Sequence, residues 1–125
     1  MKKVNVPQGY NTVMPYLIVA DAEGLMDFLK KVFDAVEKMV VPADNGKIMH
    51  AEVTIGDSCI MLANSTEEFS VQNAGLYIHV ADVDATYDAA IKAGGTSIMP
   101  PDDKEYGRSS GVKDPWGNTW WITTS

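Results

Sequence analysis

His50 and Glu52 stand two residues apart in a stretch, Lys47 to Ile55, that alternates apolar and polar side chains. In a strand, residues i and i+2 share a face, so this spacing sets an imidazole beside a carboxylate. Such a pair can move protons, because the carboxylate orients the ring and shifts its titration. The same pair also serves as a solvated or structural ion pair. The chain holds one other histidine, His79, and one arginine, Arg108, in the run Tyr106-Gly107-Arg108. An arginine there could grip a carboxylate or phosphate, or pair with Asp102, Asp103 or Glu105. Three aromatic residues, Tyr16, Tyr77 and Trp121, complete the set. Aromatic walls with sparse polar groups are the usual lining of a small-molecule site, and aromatic faces also attract cations. No Ser-His-Asp spacing, phosphate loop or zinc motif is present.

These residues are positioned by an internal repeat. Tyr16-Leu17-Ile18-Val19-Ala20-Asp21 returns 61 residues later as Tyr77-Ile78-His79-Val80-Ala81-Asp82, and Gly56-Asp57-Ser58 returns at the same offset as Gly117-Asn118-Thr119. In the first half, Thr12 to Val19 reads as a strand, and Asp21 sits where an N-cap belongs. Leu25, Phe28, Leu29, Val32, Phe33 and Val36 form the apolar stripe of a helix. Val36–Val41, Lys47–Ile55 and Ser58–Ala63 follow as strands, with turns at Asp44-Asn45-Gly46 and Gly56-Asp57. In the second half, Gly75–Val80 is a strand, Asp82 an N-cap, and Val83, Tyr87, Ala90 and Ile91 a helical stripe that Gly94-Gly95 ends. Strands near Thr96–Met99, Ser109–Lys113 and Thr119–Thr123 close the half. Asn64–Ala74 and Pro100–Tyr106 read as longer polar loops. The expected class is α+β, a single domain over 1–125 of two tandem β-α-β-β-β modules, about 12–63 and about 75–124.

Alternation then assigns faces. Met49, Ala51, Val53 and Ile55, with Leu17 and Val19, should pack under the helices. Met14, Tyr16, Ile18, Ile48, His50, Glu52 and Thr54 should face the other way. In the second module the same parity exposes Gly75, Tyr77, His79, Thr119, Trp121 and Thr123. Trp120 and Cys59 should be core, and Trp116 should sit in a turn, exposed or at an interface.

Composition bounds the rest. A chain of 125 residues, 46% hydrophobic and 22% charged, is ordinary globular material. Net charge of -7 repels phosphate backbones and anionic membranes, so neither nucleic acid nor membrane is an expected partner, and a cationic ligand is weakly favoured. One cysteine excludes an internal disulfide framework. Met1-Lys2-Lys3-Val4-Asn5 lacks the apolar run of a secretory leader, and no apolar stretch reaches about 18 residues, so a cytoplasmic protein is expected.

Two such modules resemble the vicinal-oxygen-chelate superfamily, which includes glyoxalase I, extradiol dioxygenases and bleomycin-binding proteins. Met14-Pro15-Tyr16-Leu17, the run His50 to Ser58, Val80-Ala81-Asp82-Val83-Asp84-Ala85, and Tyr106-Gly107-Arg108 with the run Asp114 to Trp121 are similar to its PhnB-like glyoxalase/bleomycin-resistance branch. The resemblance implies two curved mixed sheets around a cavity, and a homodimer. It also implies where a divalent ion would sit. Its ligand positions fall on Met14, Gly75, Trp121 and either Ile60 or Met61, none of them an oxygen or imidazole donor. No cofactor and no metal are therefore expected. The leading expectation is metal-independent binding of a small aromatic or cationic molecule by Tyr16, His50, Glu52, Tyr77, His79 and Trp121. The alternative is a lyase or isomerase in which Glu52 is the base and a histidine polarises a carbonyl, with or without a non-standard metal site. A third class is a partner-binding module, which an exposed Trp116 patch would favour.

Overall fold

A computed structural model describes residues 2–125, so Met1 of the stretch read for a leader lies outside the described residues. The elements run β1 (Tyr16–Val19), α1 (Ala22–Phe33), β2 (Val36–Pro42), β3 (Ile48–Ile55), β4 (Ser58–Asn64), then β5 (Gly75–His79), α2 (Val83–Lys92), β6 (Thr96–Lys104), β7 (Gly107–Lys113) and β8 (Thr119–Thr124). Both helices start where a short acidic side chain can satisfy free N–H groups. Asp21 accepts from Gly24 N at 3.0 Å and Asp82 from Ala85 N at 3.1 Å. Among the described residues, no helix is long and apolar enough to cross a membrane.

The strands form two four-stranded mixed sheets, β1-β4-β3-β2 and β5-β8-β7-β6. The first and last strands of each half pair parallel, because a helical crossover separates them in sequence; the other neighbours are antiparallel. One face of each sheet packs under helices. Leu17, Val19, Ala51, Val53, Ile60, Leu62, Val112, Trp120 and Ile122 are buried there with Leu25, Phe28, Leu29 and Phe33 of α1. Each large side chain so buried stabilises the fold by about 1.5–3 kcal/mol. The core is continuous between the halves: Phe33 lies 4.8 Å from Trp120, and Phe28 meets Trp116 edge-on at 6.2 Å between ring centroids. Gly24 permits that second contact, since a Cβ there would come within 2.5 Å of the Trp116 ring.

Several expectations are corrected. β1 begins at Tyr16 rather than Thr12, although Pro15 O still accepts from Met61 N at 3.0 Å. β6 continues through Pro100 and Pro101 to Lys104, where a loop was expected. It is an edge strand whose pairing shifts between Met99 and Asp102, and an edge with a bulge is where proline is tolerated. Met49 points to solvent, not to the helices, and Ile48, expected on the open face, is buried with the core. The pairing slips between Val41↔His50 and Pro42↔Ile48, which leaves Met49 unpaired and breaks the alternation. Thr123 is buried rather than open, its hydroxyl 3.1 Å from that of Ser109. Trp116 is partly buried against α1. The segment after β4 is more than a polar linker: Gln72 and Ile18 exchange both backbone hydrogen bonds, at 2.9 and 3.2 Å, covering part of the edge of β1.

Candidate functional site

The six site residues gather into two groups. Tyr16, His50 and Glu52 lie on the open face of the first sheet; Tyr77, His79 and Trp121 lie on that of the second. Among the described residues, no hydrogen bond or ring contact joins the groups.

The first group is a hydrogen-bonded relay. Tyr16 Oη lies 2.9 Å from His50 Nδ1, and His50 Nε2 lies 2.7 Å from Glu52 Oε2. The relay extends to a residue that strand alternation did not reveal: Tyr10 donates its hydroxyl to Glu52 Oε1 at 2.6 Å. Residues 9–11 cross the open face from β2, over Glu52 of β3, to the start of β4. Asn11 Oδ1 accepts from Cys59 N at 3.1 Å, and Lys38 of β2 donates to Gly9 O at 2.8 Å while sitting 3.6 Å from the centroid of the Tyr10 ring. This strap leaves Glu52 only 4% exposed. The hydrogen bonds from Tyr10 and then His50 hold the Glu52 carboxyl below its usual range, against the opposing effect of burial. The bond to Glu52 in turn pushes the Tyr10 phenol up.

Strand register corrects the reading of Cys59. It pairs with Thr54 and lies two residues from Met61, which pairs with Glu52, so it belongs to the open face and not the helix side. It is buried all the same, and that burial pushes its thiol up. Arg108 is an ion-pair residue. It grips Asp84 with Nε and Nη2 at 2.6 and 2.9 Å, and Nη1 reaches Asp103 at 3.0 Å. Asp103 was a foreseen partner; Asp84, 24 residues away on α2, was not.

The second group is open. Tyr77, His79 and Trp121 are all exposed, and among the described residues no hydrogen bond reaches the His79 ring. Tyr77 and His79 meet edge-on at 5.3 Å. Trp121 lies across Gly111 of the neighbouring strand, where a Cβ would come within 2.6 Å of the indole, so only glycine lets the ring lie this close to the sheet.

Two clefts flank these groups and share no lining residue. One, about 660 Å³, is walled by Tyr16, Ile18, Ile48, Met49, Ala63 and Phe69. The other, about 1080 Å³, runs along β5 past Tyr77 and His79 to Val13 and Ile60.

A model of the Glyoxalase/Bleomycin resistance protein/Dioxygenase superfamily matches residues 9–122. The chain belongs to this superfamily. An uncharacterized protein of Mycobacterium bovis is 36% identical over 118 residues, covering 85% of this chain and 78% of that protein. TioX from Micromonospora sp. ML1 superposes with a TM-score of 0.75 at 26% identity, over 91% of this chain and 98% of TioX. The PhnB protein from Bacillus cereus superposes at 0.73 with 18% identity, over 92% of this chain and all of the PhnB chain, which shows a shared fold.

The superfamily's metal positions can now be read in register. Tyr16 pairs with Met61 and Tyr77 with Trp121, so Met61, not Ile60, is the counterpart of Trp121. Met14, Met61, Gly75 and Trp121 offer neither oxygen nor imidazole, and a hard divalent ion does not fit that donor set. His50, Glu52 and His79 do not converge either. The first two are bonded to each other and His79 stands on the other sheet. Among the described residues, no three His, Cys, Asp or Glu side chains gather as a metal site.

Proposed function

We propose that the chain binds a small planar or aromatic molecule on its open sheet faces, without a resident metal. One observation carries this reading. Tyr16, Tyr77 and Trp121 keep 44, 55 and 38% of their surface exposed, on the sheet faces where the superfamily builds its sites. Their rings would stack the ligand, while the Tyr16 hydroxyl and His79 bond its polar rim; His50, with both ring nitrogens bonded to Tyr16 and Glu52, would hold Tyr16 in place. Glu52 would serve from behind, since both its oxygens are occupied by Tyr10 and His50. The same occupancy disfavours Glu52 as a base acting directly on a substrate. In this reading two copies pair, and the Tyr16 group of one chain meets the Tyr77–Trp121 group of the other.

A thermal-shift panel of planar aromatic compounds, cationic and anionic, tests it. At least one should stabilise the wild type and lose most of its effect on Trp121→Ala. The substitution itself should cost about 1–3 kcal/mol and leave a single cooperative unfolding transition, because more than half of the ring is covered and it lies against Gly111. A panel with no stabilising compound, or an unchanged response in the variant, would contradict the reading.

A further inference from the structure

We propose that Tyr16 is a base-activated phenol, the reactive end of a Tyr16–His50–Glu52 relay, and that it takes a proton from a ligand seated in the apolar cleft beside it. The inference goes beyond the binding reading: stacking uses the face of the ring, whereas this role uses its oxygen.

The geometry fixes the direction of the relay. Glu52 accepts at His50 Nε2, 2.7 Å away, which keeps the ring proton on that nitrogen. Nδ1 is left as an acceptor, and Tyr16 Oη donates to it at 2.9 Å. The phenol oxygen therefore aims its proton inward and its lone pairs outward. A hydroxyl bonded to a base, with that base oriented by a third group, is the general arrangement of an activated oxygen. His50 and Glu52 are positioning residues in this scheme. Tyr10, at the other oxygen of Glu52, and Lys38, on the Tyr10 ring, complete the support. Among the described residues, no such acceptor reaches the hydroxyl of Tyr77 or Tyr106.

The cleft defines the ligand class. Ile18, Ile48, Met49, Ala63 and Phe69 line it with Tyr16, and Lys47, Glu67 and Glu68 line it too, so it suits a compound with an apolar body and a polar end. The reacting group would be a weakly acidic O–H or N–H, or a C–H beside a carbonyl. As that bond breaks, its proton forms a new O–H at Tyr16 Oη, and the original phenol proton moves to His50 Nδ1. The ligand becomes an anion, and the imidazolium is paired with the Glu52 carboxylate.

Benzenesulfonyl fluoride tests the activation without knowledge of the ligand. The phenol oxygen attacks sulfur, fluoride leaves, and the phenol proton passes to His50. Modification of each tyrosine would be followed by peptide mass spectrometry. Tyr16 should react about tenfold or more faster than Tyr77 or Tyr106, at the low end of what a positioned base contributes. This ranking runs against exposure, since Tyr16 is 44% exposed and the other two 55 and 58%. In His50→Gln and Glu52→Gln the lead of Tyr16 should disappear while Tyr77 and Tyr106 react as before. Equal rates in the wild type, or an undiminished lead in His50→Gln, would overturn the proposal. Because His50 is only partly buried, that variant decides the matter even if Glu52→Gln does not fold.

Discussion

Glu52 and Asp114 are carboxylates buried to the same degree, 4 and 3% exposed, one in each half of the molecule. Asp114 is closed on itself. Its Oδ1 accepts from Trp116 N and Asn118 N at 2.9 and 3.0 Å, and its Oδ2 from Asn118 Nδ2 and Trp120 Nε1 at 3.0 and 2.9 Å. All these partners lie in the turn before β8 or at its start. That turn is bonded to the chain entering β5, with Asn118 Oδ1 accepting from Ala74 N at 3.1 Å and Asn73 donating to Trp116 O at 2.9 Å. Glu52 is bonded outward instead. Its partners come from the N-terminal strap and from its own strand, and the path through His50 ends at the exposed oxygen of Tyr16. Equal burial thus supports two different tasks. Where every partner is part of the frame, the carboxylate holds the frame. Where the last partner is at the surface, the carboxylate serves that surface.

Substitutions can break this contrast. Asp114→Ala should have the largest effect, a loss of about 3 kcal/mol or more in thermal or denaturant unfolding, because it strands several buried donors at once. Glu52→Gln should cost less, about 1–3 kcal/mol, since an amide keeps the shape and part of the bonding. A larger loss for Glu52→Gln than for Asp114→Ala would reverse the assignment of frame and surface. A smaller effect concerns pH. The Glu52 carboxyl is held below its ordinary value of 4.5 in the folded chain, so it stabilises the fold at neutral pH. That contribution fades as pH falls below the unfolded value and through the lowered folded one. The stability gap between wild type and Glu52→Gln should therefore narrow in acid, measured by unfolding at pH 7 and pH 3. A gap that widens on acidification would contradict the assigned direction.

Much of this architecture was legible in the sequence. The repeat, the caps at Asp21 and Asp82, and the faces of Leu17, Trp120 and Trp121 follow from local patterning and period alone. What escaped was set by partners distant in sequence. The bulge at Met49 depends on how β2 pairs with β3, and the length of β6 depends on β7 carrying it past two prolines. Cys59 lies on the open face because Met61, not Ile60, pairs with Glu52; local pattern left both registers open, and a one-residue slip reverses every side chain. Within the candidate site, His50 and Glu52 were placed side by side by their spacing. Nothing local ties Tyr10 to Glu52, 42 residues on. The only signal was general: a carboxylate that becomes buried requires donors, and its own strand supplies only His50.

The two histidines offer the most direct test of the difference between the open faces. A long-range ¹H–¹⁵N spectrum of the imidazole rings, recorded where both are neutral, distinguishes their tautomers. His50, bonded at Nε2 to Glu52 and at Nδ1 to Tyr16, should be held as the Nε2–H form, and His79 should show the averaged signals of a ring exchanging between tautomers. Averaged signals from both rings, or an Nδ1–H form at His50, would mean that the relay does not run toward Tyr16.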